Sequence, residues 1–131
     1  MMFVDASAIV AILTDEPDSR GLAERLQGVP RLITSPIAIY EARLAVRRKR
    51  PGPLEEARSD VETFLAEARI TVVPITPADA DRAWTAFGRY GKGSGHPARL
   101  NMGDCFAYAV AQGHGVPLLF KGQDFSKTDL G

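Results

Sequence analysis

At 131 residues the chain is long enough to bury a hydrophobic core as one domain without disulfides. Apolar residues make up 45% and charged residues 24%, a globular balance that excludes a disordered chain. The 16 basic and 16 acidic side chains cancel, so any nucleic-acid partner must be met by local basic patches and not by a global field.

The chain opens on Met2-Phe3-Val4-Asp5-Ala6-Ser7, two β-favouring apolar residues running into a carboxylate. That pattern predicts a short buried strand ending at Asp5, a tight turn, and a helix through Leu13 with Ser7 as its expected N-cap. In an open α/β sheet, ligands bind at the carboxyl ends of the parallel strands, which makes Asp5 a site candidate. Its alternative role is to favour a helix N-terminus by its negative charge. After an acid-rich break from Thr14 to Asp18, Ser19 to Leu26 reads as a short helix closed by Gly28 and Pro30. Arg31 to Thr34 is a strand, and Ser35-Pro36 caps and starts a helix that ends before Pro51. Glu41 shares a helical face with Ile37, Leu44 and Ala45, an unusual place for an acid because burying an unpaired charge is costly. The other side of this helix and its end carry Arg43, Arg47, Arg48, Lys49 and Arg50, read as a solvated, dipole-favoured terminus.

Leu54 to Ala68 is expected as a helix with Leu54, Val61, Phe64, Leu65 and Ala68 inward, followed by a β-branched strand from Ile70 to Ile75. Thr76-Pro77 opens a helix reaching Tyr90. The Gly91 to Arg99 loop is flexible and basic, and it does not match a phosphate-binding Walker loop. Asn101 is the expected N-cap of a helix carrying Asp104 and ending at Gly113 to Gly115, and Val116 to Phe120 is the last strand. Alternating strands and helices imply a parallel sheet in one α/β domain over residues 1–131. With no basic leader before an apolar stretch and no apolar run of membrane-spanning length, the expectation is a soluble, cytoplasmic chain without a membrane partner.

Four acids stand out by position: Asp5, Glu41, Asp104 and Asp124, the last just after the final strand. Asp104 has an alternative reading as a macrodipole residue and Asp124 as a turn residue. Converging carboxylates repel one another and raise their pKa values unless a cation sits among them. Cys105 is the only cysteine and His96 and His114 the only histidines, so an intramolecular disulfide and a cysteine-rich zinc site are excluded. Oxygen ligands favour Mg²⁺ or Mn²⁺, cations that activate water and brace the charge built up in phosphodiester cleavage.

The segments Phe3-Val4-Asp5-Ala6-Ser7, Tyr40-Glu41-Ala42, Gly103-Asp104-Cys105-Phe106-Ala107-Tyr108 and Leu118-Leu119-Phe120-Lys121-Gly122-Gln123-Asp124-Phe125 resemble the PIN-domain ribonucleases. More narrowly, they resemble the VapC toxins of toxin–antitoxin pairs, with the four blocks in the family's order across nearly the whole chain. The resemblance implies a three-layer α/β/α PIN-like domain with a central, mainly parallel sheet, and a Mg²⁺- or Mn²⁺-dependent endoribonuclease. Positions matching Asp5, Glu41 and Asp104 supply the family's acidic site, with Asp5 and Asp104 as the metal-binding pair. Many relatives carry another acid at the position of Gln123 or Gly122, so Asp124 is the remaining candidate for a fourth catalytic acid. Ser7 becomes a supporting hydroxyl that orients Asp5 or a water on the metal. The implied partners are an RNA substrate, a cognate antitoxin protein and a second copy in a homodimer, to which Ile12, Leu13, Tyr40 and Leu44 can contribute.

Lys92 and Arg99 flank the glycine-rich loop just before Asp104 and are the expected RNA-binding cations. Two other readings compete with the nuclease. A receiver-like phospho-acceptor module also carries strand-end acids and a lysine after its last strand, where Lys121 stands. A PIN-like domain that binds RNA without cutting it is the other.

Overall fold

The computed structural model describes residues 1–130. Its centre is β1 (Met2–Val4), where Phe3 and Val4 are fully buried between β2 (Leu32–Thr34) and β4 (Leu118–Leu119). With β3 (Ile70–Val72) outside β2, the strand order is β3-β2-β1-β4 and every pairing is parallel. The first two crossovers step outward from β1, through α1 (Ala6–Leu13) and α2 (Ser19–Leu26), then α3 (Pro36–Lys49) and α4 (Leu54–Glu67). The third returns past β1 through α5 (Pro77–Tyr90) and α6 (Met102–His114) to β4. Right-handed crossovers put the outward and returning helices on opposite faces, giving three layers. The direction reverses between β1 and β4, and it is there that an open parallel sheet leaves its crevice.

The edge strands are shorter than their sequences predict. Strand β3 stops at Val72 although the Val73 N–H still reaches the Thr34 carbonyl at 2.9 Å, because Pro74 has no N–H to extend the ladder. Strand β4 keeps two residues, pinned where Pro117 and Leu119 carbonyls accept from Phe3 and Asp5 N–H. An edge strand has one neighbour and so loses its ends first.

Three helix expectations are corrected. The N-cap of α1 is Asp5, in extended backbone, with its carboxylate accepting the Ser7 N–H; Ser7 is already inside the helix. The buried seam of α3 is Ala38, Ala42 and Val46, small residues that admit close packing, and Glu41 borders that seam with Ile37 and Ala45 while Leu44 is exposed. In α4 the inward residues are Ala57, Val61 and Leu65, and Leu54 at its first turn is 70% exposed. Helix α6 ends as predicted, on Gly115 in the left-handed conformation at φ 66°.

The loop from Gly91 to Arg99 is tied down more than its glycines suggest. Gly91 and Leu100 form a parallel bridge, the Lys92 N–H donates to the Leu100 carbonyl at 2.8 Å, and Ala98 is buried. His96 packs edge-on against Tyr90, and Arg99 adopts a positive φ of 54°. Asp129 accepts from both the Tyr90 and Tyr108 hydroxyls and draws the C-terminal segment over this helix pair. No helix among the described residues is long and apolar enough to cross a membrane.

Candidate active site

Asp5, Glu41, Asp104 and Asp124, separated by up to 119 positions in sequence, line one cavity of about 250 Å³ at the carboxyl end of β1 and β4. Each arrives by a different local route. Asp5 directly follows the central strand β1 and is 5% exposed. The Ser7 hydroxyl donates to its Oδ2 at 2.6 Å and the Ser7 N–H at 3.0 Å, while the same hydroxyl accepts the Lys121 N–H at 3.0 Å. Ser7 therefore links the acid after β1 to the segment after β4 that carries Asp124.

Glu41 lies midway along α3, whose start is set by Ser35 accepting the Ala38 N–H and by Pro36 at the first position. Its carboxylate rests over Gly103. A methyl group built on Gly103 would meet Glu41 Oε2 at 2.0 Å, so only glycine leaves room for the acid. Asp104 is the next residue, in the first turn of α6. Its Oδ2 accepts the Asn101 N–H at 3.1 Å and Asn101 Oδ1 accepts the Asp104 N–H at 2.9 Å, a reciprocal capping box. Asp104 is thus a helix cap and a wall of the cavity at once. Asp124, in the turns after β4, is exposed on the cavity's open side.

The carboxylates strain against one another. Burial raises the Asp5 pKa against the hydrogen bonds from Ser7, and the charge of Asp124 raises it further. Burial and then the Asp5 charge raise Glu41. Asp104 is pushed up to about 7, first by burial and then by the charges of Asp124, Asp5 and Glu41, with the Asn101 bond acting the other way. Among the described residues no lysine, arginine or histidine forms an ion pair with any of the four. A hard cation would relieve this repulsion, and carboxylate oxygens are the donors it takes. The described residues contain no ready cage of three acidic, histidine or cysteine side chains. An open set of one or two carboxylates completed by water is the arrangement Mg²⁺ ordinarily takes, so the donor chemistry fits.

Lys92 and Arg99 are exposed and do not line this cavity. The cations that do are Arg48 and Lys121. Arg48 comes from the basic run read as a solvated helix end, and Lys121 follows β4 at the same sheet edge as Asp5. A fifth acid, Glu16, also reaches the wall, from the break after α1. Position after a strand was a usable signal for Lys121, and a glycine in a helix first turn, unfavourable by about 1 kcal/mol against alanine, was one for Gly103. Nothing local marked Glu16.

A separate hollow of about 300 Å³ between α5 and α6 is apolar, walled by Ala83, Trp84, Phe87 and Phe106. Its one titratable lining group is the Cys105 thiol, which burial pushes up to about 11, so the hollow holds no acid or base that changes charge near neutral pH.

Residues 2–130 match the PIN domain family model. A VapC ribonuclease from Rhizobium meliloti is 44% identical over 142 residues, covering 100% of both chains. Ribonuclease VapC42 from Mycobacterium tuberculosis is 42% identical over 130 residues, covering 98% of this chain and 96% of that one. Among solved structures, Mycobacterium tuberculosis VapC20, described as a sarcin-ricin loop cleaving toxin, superposes with a TM-score of 0.75 at 21% identity, over 96% of this chain and 93% of that one. A toxin–antitoxin complex from Klebsiella pneumoniae gives 0.71 at 17% identity, over 99% and 94%. The two structures establish the shared fold, and the sequence matches establish more: the chain belongs to the PIN-domain family and, within it, to the VapC ribonucleases.

Proposed function

We propose that this ribonuclease hydrolyses RNA internally at the acid cavity with Mg²⁺ or Mn²⁺, as the toxin of a toxin–antitoxin pair, and that one PIN-like domain over residues 1–131 is the working unit. The observation that carries the reading is the convergence of Asp5, Glu41, Asp104 and Asp124 on one cavity without a basic partner for any of them. Asp5 and Asp104 are the metal-holding pair. When bound, the cation supplies Lewis acidity and a nucleophilic water at neutral pH.

The chain's own residues do the positioning. Ser7 holds Asp5 Oδ2 with two hydrogen bonds, and Asn101 holds Asp104 Oδ2, so one oxygen of each pair member is oriented before a cation arrives. Glu41, seated over Gly103, adds a third carboxylate without bonding the protein, and Asp124, exposed at the cavity wall, adds a fourth. Lys92 and Arg99 stand outside the cavity as cations for the flanking RNA strand. A receiver-like module is disfavoured by family membership and by Lys121, whose ammonium pairs with Glu16 and Asp18 and not with a strand-end acceptor.

The antitoxin protein and a homodimer are the expected protein partners, and cytoplasmic RNA the substrate pool. Tyr40, 62% exposed on α3 beside Leu44, supports a partner-facing surface there. Chelation tests the metal role: EDTA abolishes RNA cleavage and either Mg²⁺ or Mn²⁺ restores it. Undiminished cleavage after thorough chelation overturns it.

A further inference from the structure

The turn after α1 holds a cluster that the acid site does not account for. Asp15 adopts a positive φ of 56°, and the Glu16 N–H returns to the Ala11 carbonyl at 2.9 Å, which swings the Glu16 side chain back over the cavity. There its two oxygens divide between two ammonium groups: Oε1 meets Lys121 Nζ and Oε2 meets Lys49 Nζ. The Glu16 side chain is 14% exposed, against 35% for Lys121 and 43% for Lys49. Both lysines hold Glu16 well below the usual carboxylate range. Lys121 is tethered a second time, through its own N–H to Ser7 Oγ and so to Asp5.

We propose that Glu16 is a positioning residue for RNA hydrolysis, fixing Lys121 at the wall of the acid cavity so that its ammonium meets a phosphate of the RNA held there. The inference rests on RNA cleavage at that cavity. An ammonium group has three donors. Lys121 directs one to Glu16 and lies 3.6 Å from Asp18, an exposed acid, which leaves a donor for a phosphate oxygen. Lys49 and Lys121 balance Glu16 and Asp18 in charge, so the cluster sets an ammonium beside four carboxylates that repel a polyanion without adding to their negative charge. With the lysine ends 35% and 43% exposed, such ion pairs contribute only about 0–1 kcal/mol each to stability, so holding the fold is a weak reason for a carboxylate to engage two lysines at this rim. Glu16 keeps a flexible lysine from spanning the cavity to pair with Asp5 or Asp124, where it would displace the cation.

The test uses RNA binding across a salt series in an Asp104→Asn background, and steady-state cleavage with Asp104 intact. Lys121→Met is expected to flatten the slope of log affinity against log salt by about 0.7, the share of one phosphate on a single strand, and Lys121→Arg to restore it. Glu16→Gln leaves Lys121 charged but unfixed. It is expected to keep the slope while lowering kcat about tenfold, with KM near the wild-type value. A wild-type slope in Lys121→Met, or a wild-type kcat in Glu16→Gln, overturns the assignment. Both side chains sit at the rim, and Lys121→Gln, which also removes the charge but stays polar, decides the slope should Lys121→Met unfold. Should the wild type bind RNA yet fail to cut it in Mg²⁺ or Mn²⁺, the nuclease reading fails, while the binding slope still decides whether Lys121 meets a phosphate.

Discussion

Asp79 and Asp104 occupy the same local position, the third residue of a helix, and each closes a capping box. Their surroundings are opposite. Asp79 accepts from the Thr76 N–H at 2.9 Å, the Thr76 hydroxyl at 3.1 Å and Arg82 Nη1 at 3.1 Å. Asp104 accepts only from Asn101 and faces other carboxylates. One turn on, where Asp79 finds Arg82, Asp104 finds Ala107. The capping motif alone does not distinguish a structural acid from a site acid. The cation present or withheld one turn away does.

Substitution by asparagine breaks the comparison most sharply. Asp104→Asn keeps the cap but removes the charge a hard cation needs, and is expected to slow RNA cleavage about a thousandfold with the fold intact. Asp79→Asn is expected to leave cleavage near the wild-type rate while costing about 1 kcal/mol of stability. Single-turnover cleavage paired with denaturant unfolding checks both. If Asp104→Asn lost less than about tenfold while folded, its role would reduce to capping.

The next effect concerns the neighbour of Asp104. Gly103→Ala places a methyl group within 2.3 Å of Glu41 Cδ, so the acid must leave its seat. Cleavage is expected to fall about 10- to 100-fold, since a displacement near 1 Å can cost that much. Helix propensity favours the alanine, so thermal stability should hold or rise. Combining it with Glu41→Gln should cost little more than either change alone, because both remove the same placed carboxylate.

A smaller effect separates the two aspartates by pH. The Asp104 pKa lies near 7 in the fold against 3.8 for a free aspartate, so between those values the folded protein binds more protons than the unfolded one. The stability contributed by its protonated form is fully present at low pH and is lost as pH rises through about 7. Asp5 and Glu41, also raised, act in the same direction. Metal-free protein is therefore expected to melt at progressively lower temperature from about pH 4 to about pH 7, and Asp104→Asn to reduce that slope. Saturating Mg²⁺ should shrink the trend by neutralising the charges. A melting temperature that rises through this window without metal would contradict the raised pKa values.

The smallest effect is outside the cavity. Lys92→Ala combined with Arg99→Ala is expected to weaken RNA binding and flatten its salt slope by about one unit, with metal affinity unchanged. An unaltered slope in an Asp104→Asn background would assign the Gly91 to Arg99 segment to structure alone, consistent with its bridge to Leu100.

Local rules were enough to read the strand–helix alternation, the starts of α3, α5 and α6, and the glycine end of α6, because caps, proline and alternation act over a few residues. The four acids were also legible, three from their places at element ends and Glu41 from its cost on an apolar face. Sequence pattern did not decide which face of α3 is buried, since alanine spacing there competes with larger apolar residues and close packing selects the small ones. Nor could it pair Glu16 with Lys121 across 105 positions, or seat Glu41 on Gly103. Such contacts belong to the sheet order: with β4 returning beside β1, residues remote in the chain meet at the reversal point, and no local propensity encodes that meeting.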